Sequence, residues 1–256
     1  MRAKKTTDLG GEGGKEPGLL RSITLLRDEV PDFNTYPFSI PAVRNLQTLT
    51  LNPGATFLCG ENGSGKSTLI EAIAVAAGMN AEGGSRNFRF STRPSHSNLA
   101  DFLRVTRSYR RTRTEFFLRA ESFFNVATEV DELGVRGSYG GVSLHEQSHG
   151  ESFLALVTHR FGPDGLFILD EPEAALSPRG CLSLLRRMHE LVHQGSQFII
   201  STHSPILLAF PGAQIYQCTP DGLQPVSYRE TQSYTLTQAF LENPEAFFRH
   251  LFTNAD

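Results

Sequence analysis

The chain has 256 residues, 39% of them hydrophobic and 20% charged, with 19 Phe and no Trp. That length holds one large α/β domain, or one domain with a small insertion, and leaves little room for two independent ones. The net charge of −3 gives no overall bias toward nucleic acid or membrane, and the three cysteines (Cys59, Cys181, Cys218) lack CxxC spacing, which argues against a disulfide framework or a zinc site and fits a reducing, cytoplasmic compartment.

Residues 1–18 carry five glycines and mixed charge with almost no apolar side chains, so they are expected to form a disordered tail ahead of a domain spanning 19–256. No apolar run approaches the roughly 18 residues of a membrane span, and no membrane insertion is expected. From Leu19, LLRSITLL suggests a first strand, and a proline-punctuated stretch leads to a second at LQTLTL. The third, ATFLC, runs directly into GENGSGKST (60–68) and then into LIEAIAVAAG, a helix ending at Gly78. Further along, LFIL (166–169) and QFIIS (197–201) read as buried strands separated by the helical CLSLLRRMHELVHQG. This alternation predicts an α/β fold with a mostly parallel central sheet. Beyond Ile215 the pattern gives a strand pair turning at Pro220-Asp221-Gly222. A helix containing LTQAFLENPEAFFRHLF follows, whose Phe and Leu spacing suggests packing on the body.

Two motifs carry chemistry on residue type alone. The glycine loop Gly60, Glu61, Asn62, Gly63, Ser64, Gly65, Lys66, Ser67, Thr68 fits G-x-x-x-x-G-K-[ST] between a strand and a helix. Its glycines permit the tight turn in which successive N–H groups surround phosphate oxygens, and the helix N-terminus adds its positive dipole end. Lys66 is placed to reach the β- and γ-phosphates, Ser67 to ligate Mg²⁺, and Thr68 to contact the α-phosphate side. The second motif, LFILDEPE, ends an apolar strand in two acids. Asp170 is placed to hold the magnesium and Glu171 to orient and polarise an attacking water.

Four elements in this order resemble the ATP-binding-cassette ATPases: GENGSGKST, then QSHGES (147–152), then DEPEAALSP, then STHSP. The S-x-G-E form of the second is similar to that of SMC, RecF and OLD-like ATPases. The resemblance covers roughly residues 19–220. It implies a P-loop NTPase fold of the ABC type with a small arm subdomain over about 84–140, and hydrolysis of ATP with Mg²⁺ as the metal. It also implies a homodimer in the ATP-bound state, in which Ser148 and Gly150 of one copy, with Glu151 in the first turn of their helix, cover the terminal phosphate held by the other. His203 in STHSP is implied to contact the γ-phosphate or the attacking water, beside Glu171 and Lys66 as catalytic residues. Ser148 and Glu151 equally form an S-x-x-E capping box, and the two roles can coexist.

The sequence departs from the family pattern at one place: transport cassettes have a glutamine between P-loop and signature that touches Mg²⁺, whereas no Gln occurs from Ile70 to Glu146. Ser91 and His96 are candidates to replace it, with no role assigned to either. Lys66 and Ser148 are 82 positions apart, which leaves no room for a long coiled coil. The intervening residues 86–119 hold nine arginines against two acids, Asp101 and Glu115. Nucleic-acid phosphate, with Phe88, Phe90, Tyr109 and Phe116 interleaved for stacking, is one partner for such a patch; a solvated face of a small antiparallel sheet is the plainer reading. For adenine stacking Tyr36 and Phe38 lead, with Phe33 and Arg44 behind them. The protein partner that would receive the mechanical output is unidentified.

Overall fold

In the computed structural model, which describes residues 17–81, 83–84, 97–119 and 149–252, two sheets form. A six-stranded sheet runs in the order β5-β6-β7-β3-β8-β9, with β3 Ala55–Cys59, β5 Thr114–Arg119, β6 Gly165–Asp170, β7 Gln197–Ser201, β8 Gln214–Thr219 and β9 Gly222–Val226. All neighbours are parallel except the β8–β9 hairpin. A three-stranded antiparallel sheet, order β2-β1-β4, is made by β1 Leu20–Leu25, β2 Thr48–Thr50 and β4 Leu103–Arg107. Strands β3, β6 and β7 are buried at every residue, which explains why their sequences are continuous apolar runs rather than alternating ones.

The central sheet separates two cores. Below it, Phe57, Phe167, Leu169, Phe198 and Ile200 pack with Phe153, Leu156 and Val157 of α3 (His149–Arg160), Leu184, Met188 and Leu191 of α4 (Pro178–His193), and Leu207 and Leu208 of α5 (Pro205–Leu208). Above it, Leu58, Leu166, Ile168 and Ile199 meet Val43 of α1 (Pro41–Arg44), Leu69, Ile70 and Ile73 of α2 (Lys66–Ala76), and Leu20, Ile23 and Leu49 of the antiparallel sheet. Gln197 is a polar side chain in a buried strand because it ties the two sheets together. Its Oε1 accepts from the Leu20 amide at 2.7 Å, and its Nε2 donates to Leu20 O at 2.8 Å and Asn52 O at 2.9 Å, so every polar atom it buries is paired.

Several expectations change. Pro17 and Gly18 belong to the body, since Arg110 donates to Pro17 O and Gly18 is buried against Gln197; residues 1–16 of the expected tail lie outside the described residues. Strands β4 and β5 lie inside the stretch 84–140 expected as an arm, yet each is a strand of one of the two body sheets. Residues 85–96 and 120–148 of that stretch are outside the described residues. The C-terminal helix is two helices, α6 (Gln232–Glu242) and α7 (Pro244–Phe252), because Pro244 has no N–H to continue α6 and instead opens α7. No residue of either is buried, and Leu236, Leu241, Leu251 and Phe252 are exposed, so the expected packing on the body is not found. No helix of the described residues is long and apolar enough to cross a membrane.

Phe161 stacks on Phe167 at 4.1 Å between centroids, and Phe167 in turn meets Phe198 at 5.1 Å. Gly165 begins β6 because a Cβ there would fall 2.2 Å from the Phe167 ring two residues on. Phe167→Ala should therefore cost about 3–5 kcal/mol in a chemical denaturation series; a cost under ~1 kcal/mol would show that this aromatic stack is not the core of the lower layer.

Candidate functional site

Parallel registers fix what comes together at the C-terminal edge of the sheet. Asp170, the last residue of β6, pairs in register with Ser201, the last of β7, and with Arg119, the last of β5. The glycine loop leaves the adjacent β3 at Gly60, so the acidic pair and the loop open on the same crevice.

Within the loop, Gly60, Gly63 and Gly65 have φ of 141°, 77° and 91°, in the region that favours glycine. Gly65 is doubly constrained, since a Cβ there would also stand 2.3 Å from Ile40 Cγ2. Glu61, Asn62 and Gly63 are exposed at the loop's crest, and Lys66, by contrast, is buried. Its Nζ donates to Gly60 O at 3.0 Å and Glu61 O at 2.8 Å and stands 3.5 Å from Ser64 Oγ, so the ammonium curls back over the loop. The Asp170 carboxylate accepts from Ser201 Oγ, and Ser67, in the first turn of α2, is near enough to favour its ionised form. Burial raises the Asp170 pKa above the ordinary carboxylate range, opposed in part by Ser201, Arg119 and Ser67.

Glu171 has φ 48° and ψ 53°, a left-handed backbone that costs a non-glycine residue about 1–3 kcal/mol. It is held there by its own amide, which donates to Ser201 O at 3.1 Å, and the turn carries its side chain away from Asp170 toward His203, whose Nε2 lies 3.1 Å from Glu171 Oε1. A residue that motif reading passed over, Glu173, sets this geometry. Its Oε1 accepts from the amides of both His203 and Ser204 (3.2 Å to the latter), clamping the loop after β7 to the turn after β6. The only sequence signal was a third acid in DEPE, to which the motif assigns no role.

Gly150 and Glu151 lie in the first turn of α3, where a Cβ on Gly150 would approach Ala175 O at 3.2 Å. Ser148 is outside the described residues, as are Ser91, His96, Phe88 and Phe90. Phe38 is buried, edge-on to Phe102, and Phe116 is core, so neither is available for stacking. Tyr36 is 67% exposed with its hydroxyl 3.5 Å from Thr68 Oγ1, at the head of the loop's helix; Phe33 lies under the Arg27 guanidinium. Four of the six described arginines in the basic segment are engaged within the chain. Arg107 donates to Ala77 O, Arg110 to Asp164 and Gly195 O, Arg113 pairs with Asp164, and Arg119 pairs with Glu71 and Asp170. Arg104, Tyr109 and Arg111 remain exposed. All three cysteines are buried free thiols, with Cys59 pushed up to about 12 by burial, so none is a thiolate nucleophile at neutral pH.

A divalent cation fits here in part from the protein. Ser67 and Asp170 supply neighbouring hard oxygen donors, while among the described residues no group of three or more His, Cys, Asp or Glu makes a complete cage. Two protein oxygens supplemented by phosphate oxygens and water suit Mg²⁺.

Parts of the chain are similar to known proteins. A family model described as "AAA domain" matches residues 33–130, and one described as "AAA domain, putative AbiEii toxin, Type IV TA system" matches residues 115–209. The chain is 46% identical over 93 residues to a "putative ABC transporter ATP-binding protein" of Methanothermobacter marburgensis, covering 36% of this chain and 33% of the relative. It is 43% identical over the same length to a protein of that description from Methanothermobacter thermautotrophicus, covering 36% and 32%. The matched stretch thus spans about a third of these relatives. Among solved structures, one titled as an inward-facing conformation of a "putative metal-chelate type ABC transporter" superposes with a TM-score of 0.51 at 17% identity, over 87% of this chain and 89% of that one.

The Glu173 clamp has a measurable signature. On the nucleotide hydrolysis that the motif resemblance implies, Glu173→Ala should lower kcat about tenfold or more with KM little changed, because His203 loses its anchor while the glycine loop is untouched. Glu173→Gln keeps an acceptor oxygen and should recover most of the rate; equal losses in both variants would refute the positioning role.

Proposed function

From the premise that this chain is a P-loop ATPase of the ABC type, we propose that it binds ATP with Mg²⁺, hydrolyses it to ADP and phosphate, and does so between two copies. The observation that carries this reading is the convergence of Lys66, Ser67, Asp170, Glu171 and His203 on one crevice. The first three suit phosphate and metal; the last two suit an attacking water.

In this mechanism the loop from Gly60 to Thr68 binds the phosphates through its N–H groups, and the Lys66 ammonium exchanges the loop carbonyls for phosphate oxygens. Ser67 and Asp170 hold the magnesium, which supplies charge neutralisation for the phosphates when bound. Glu171, turned away from Asp170 by its left-handed backbone, accepts the proton of a water aligned with the terminal phosphate. His203 holds Glu171 in place from the side and donates toward that phosphate as charge develops on it. Tyr36 is the surface on which adenine stacks.

The second copy supplies Ser148, Gly150 and Glu151. Support comes from the S-x-G-E signature and from the place of Gly150 and Glu151 in the first turn of α3, the positive end of the helix dipole. Closing and opening of the pair around ATP would be the mechanical output. The relatives' description as ABC transporter ATP-binding proteins makes a transport subunit the second reading, disfavoured by the missing glutamine. A nucleic-acid clamp is weakened by the intramolecular engagement of Arg107, Arg110, Arg113 and Arg119. Charge reversal at the exposed Arg104 and Arg111 is the informative test of that alternative, because reversal at Arg110 would break its pair with Asp164.

Glu171→Gln should retain nucleotide binding, lose phosphate release by about 10²-fold or more, and accumulate a dimer with ATP by light scattering. Wild-type turnover in that variant, or a strictly monomeric trapped form, would overturn the assignment. The raised pKa of Asp170 adds a pH signature. As pH falls, the carboxyl takes up its proton earlier than an ordinary Asp at about 3.9, so Mg²⁺-dependent nucleotide binding should already weaken above that pH. A half-saturating Mg²⁺ concentration that stays constant as pH falls through the carboxylate range would contradict the assignment of Asp170 as metal ligand.

A further inference from the structure

We propose that Arg119 is a built-in placeholder cation for the metal site, holding the Asp170 carboxylate until a divalent cation takes it and then resting on Glu71. The inference rests on the reading of Ser67 and Asp170 as metal ligands.

Three observations carry it. First, β5 and β6 are in parallel register with Arg119 opposite Asp170, so sheet pairing alone delivers a guanidinium to the metal-binding carboxylate. Second, that guanidinium lies between two acids and is shared unequally. Its Nη1 meets Glu71 Oε2 at 2.6 Å, whereas its Nε stands 3.6 Å from Asp170 Oδ2. The contact with Glu71 is a short charge-assisted hydrogen bond, and the contact with Asp170 is an ion pair beyond hydrogen-bonding distance. Third, the two Asp170 oxygens are divided: Oδ1 accepts from Ser201, and Oδ2 is the one facing Arg119.

The chemistry follows from charge. A buried carboxylate left without a cation is costly, and a positive group a few ångströms away offsets that cost. A dication on the same carboxylate would bring two further positive charges close to the guanidinium, so Arg119 and the metal compete for Asp170. Because Arg119 is anchored more tightly to Glu71, it can yield Asp170 without being left unpaired. Glu71 lies on α2, the helix that begins with Lys66 and Ser67, so the anchor belongs to the same rigid element as the phosphate loop.

The test uses the full chain and binding rather than turnover. The Mg²⁺ concentration giving half-maximal binding of a fluorescent ATP analogue is measured by anisotropy, together with thermal unfolding in EDTA and in Mg²⁺. Arg119→Gln should lower the half-saturating Mg²⁺ about three- to tenfold and melt earlier in EDTA, with a larger gain on adding Mg²⁺ than wild type. Arg119→Lys, which keeps the charge, should stay within about twofold of wild type. Should Arg119→Gln fail to fold, Glu71→Gln serves in the opposite sense: it removes the competing carboxylate charge that anchors Arg119 and should raise the half-saturating Mg²⁺. An unchanged or raised requirement in Arg119→Gln, an Arg119→Lys that behaves like Gln, or an unchanged requirement in Glu71→Gln each overturns the placeholder role. Asp170→Asn separates the parent reading: if Mg²⁺ dependence survives in that variant, the metal site itself is misassigned, whatever Arg119 does.

Discussion

The physical constraint on which the site depends is parallel register. Strands β5, β6, β7 and β3 run in the same direction and are all but equal in length, so their last residues form a row along one edge. Arg119, Asp170 and Ser201 are neighbours in that row, and Gly60 follows from β3. Buried strands cannot slip by one residue without turning their apolar side chains out of one core and into the other, so the burial of Phe167, Ile168, Phe198 and Ile199 at 0% exposure also fixes the chemistry at the strand ends.

At that edge, strain and anchoring work together. Glu171 occupies a left-handed conformation, and such strain persists only where the surroundings over-determine it. Here the Ser201 carbonyl holds the Glu171 amide from one side, while the Glu173 carboxylate binds the amides after β7 from the other. The turn after β6 and the loop after β7 are thus cross-linked, and the Glu171–His203 contact is a consequence of that cross-link. A hydrogen-bonded clamp of this kind lets two polar side chains be held rigidly on loops, which are otherwise the softest parts of a fold.

The same crevice connects to the C-terminal helices. Gln232, the first residue of α6, donates from Nε2 to Glu61 of the phosphate loop at 2.8 Å, and its amide donates to Gln217 on β8. The pair α6–α7 is joined to the body at its start and carries an aromatic cluster of Phe240, Phe247, Phe248 and Phe252 along its length. Its apolar periodicity is real, and it closes mostly on itself rather than on the central core.

Much of this was legible in the sequence because the signals are local. ATFLC and QFIIS coincide with β3 and β7, as fully buried parallel strands must be short apolar runs; the glycine spacing announced the tight turn between β3 and α2, since φ values above zero demand glycine there. Pairs separated by many residues were not legible. The pairing of β5 with β6, the contacts of Arg119 with Glu71 and Asp170, and the Glu173 clamp join residues about 30 to 50 positions apart, and no local pattern encodes a partner. The basic segment shows the difference most directly. Composition gave it a positive charge, but whether an arginine faces solvent or an internal carboxylate is decided by what tertiary packing brings within a few ångströms, and for Arg110 that neighbour is Asp164. Sequence determined which side chains have the chemistry to bind phosphate; only the fold decided which charges were already taken.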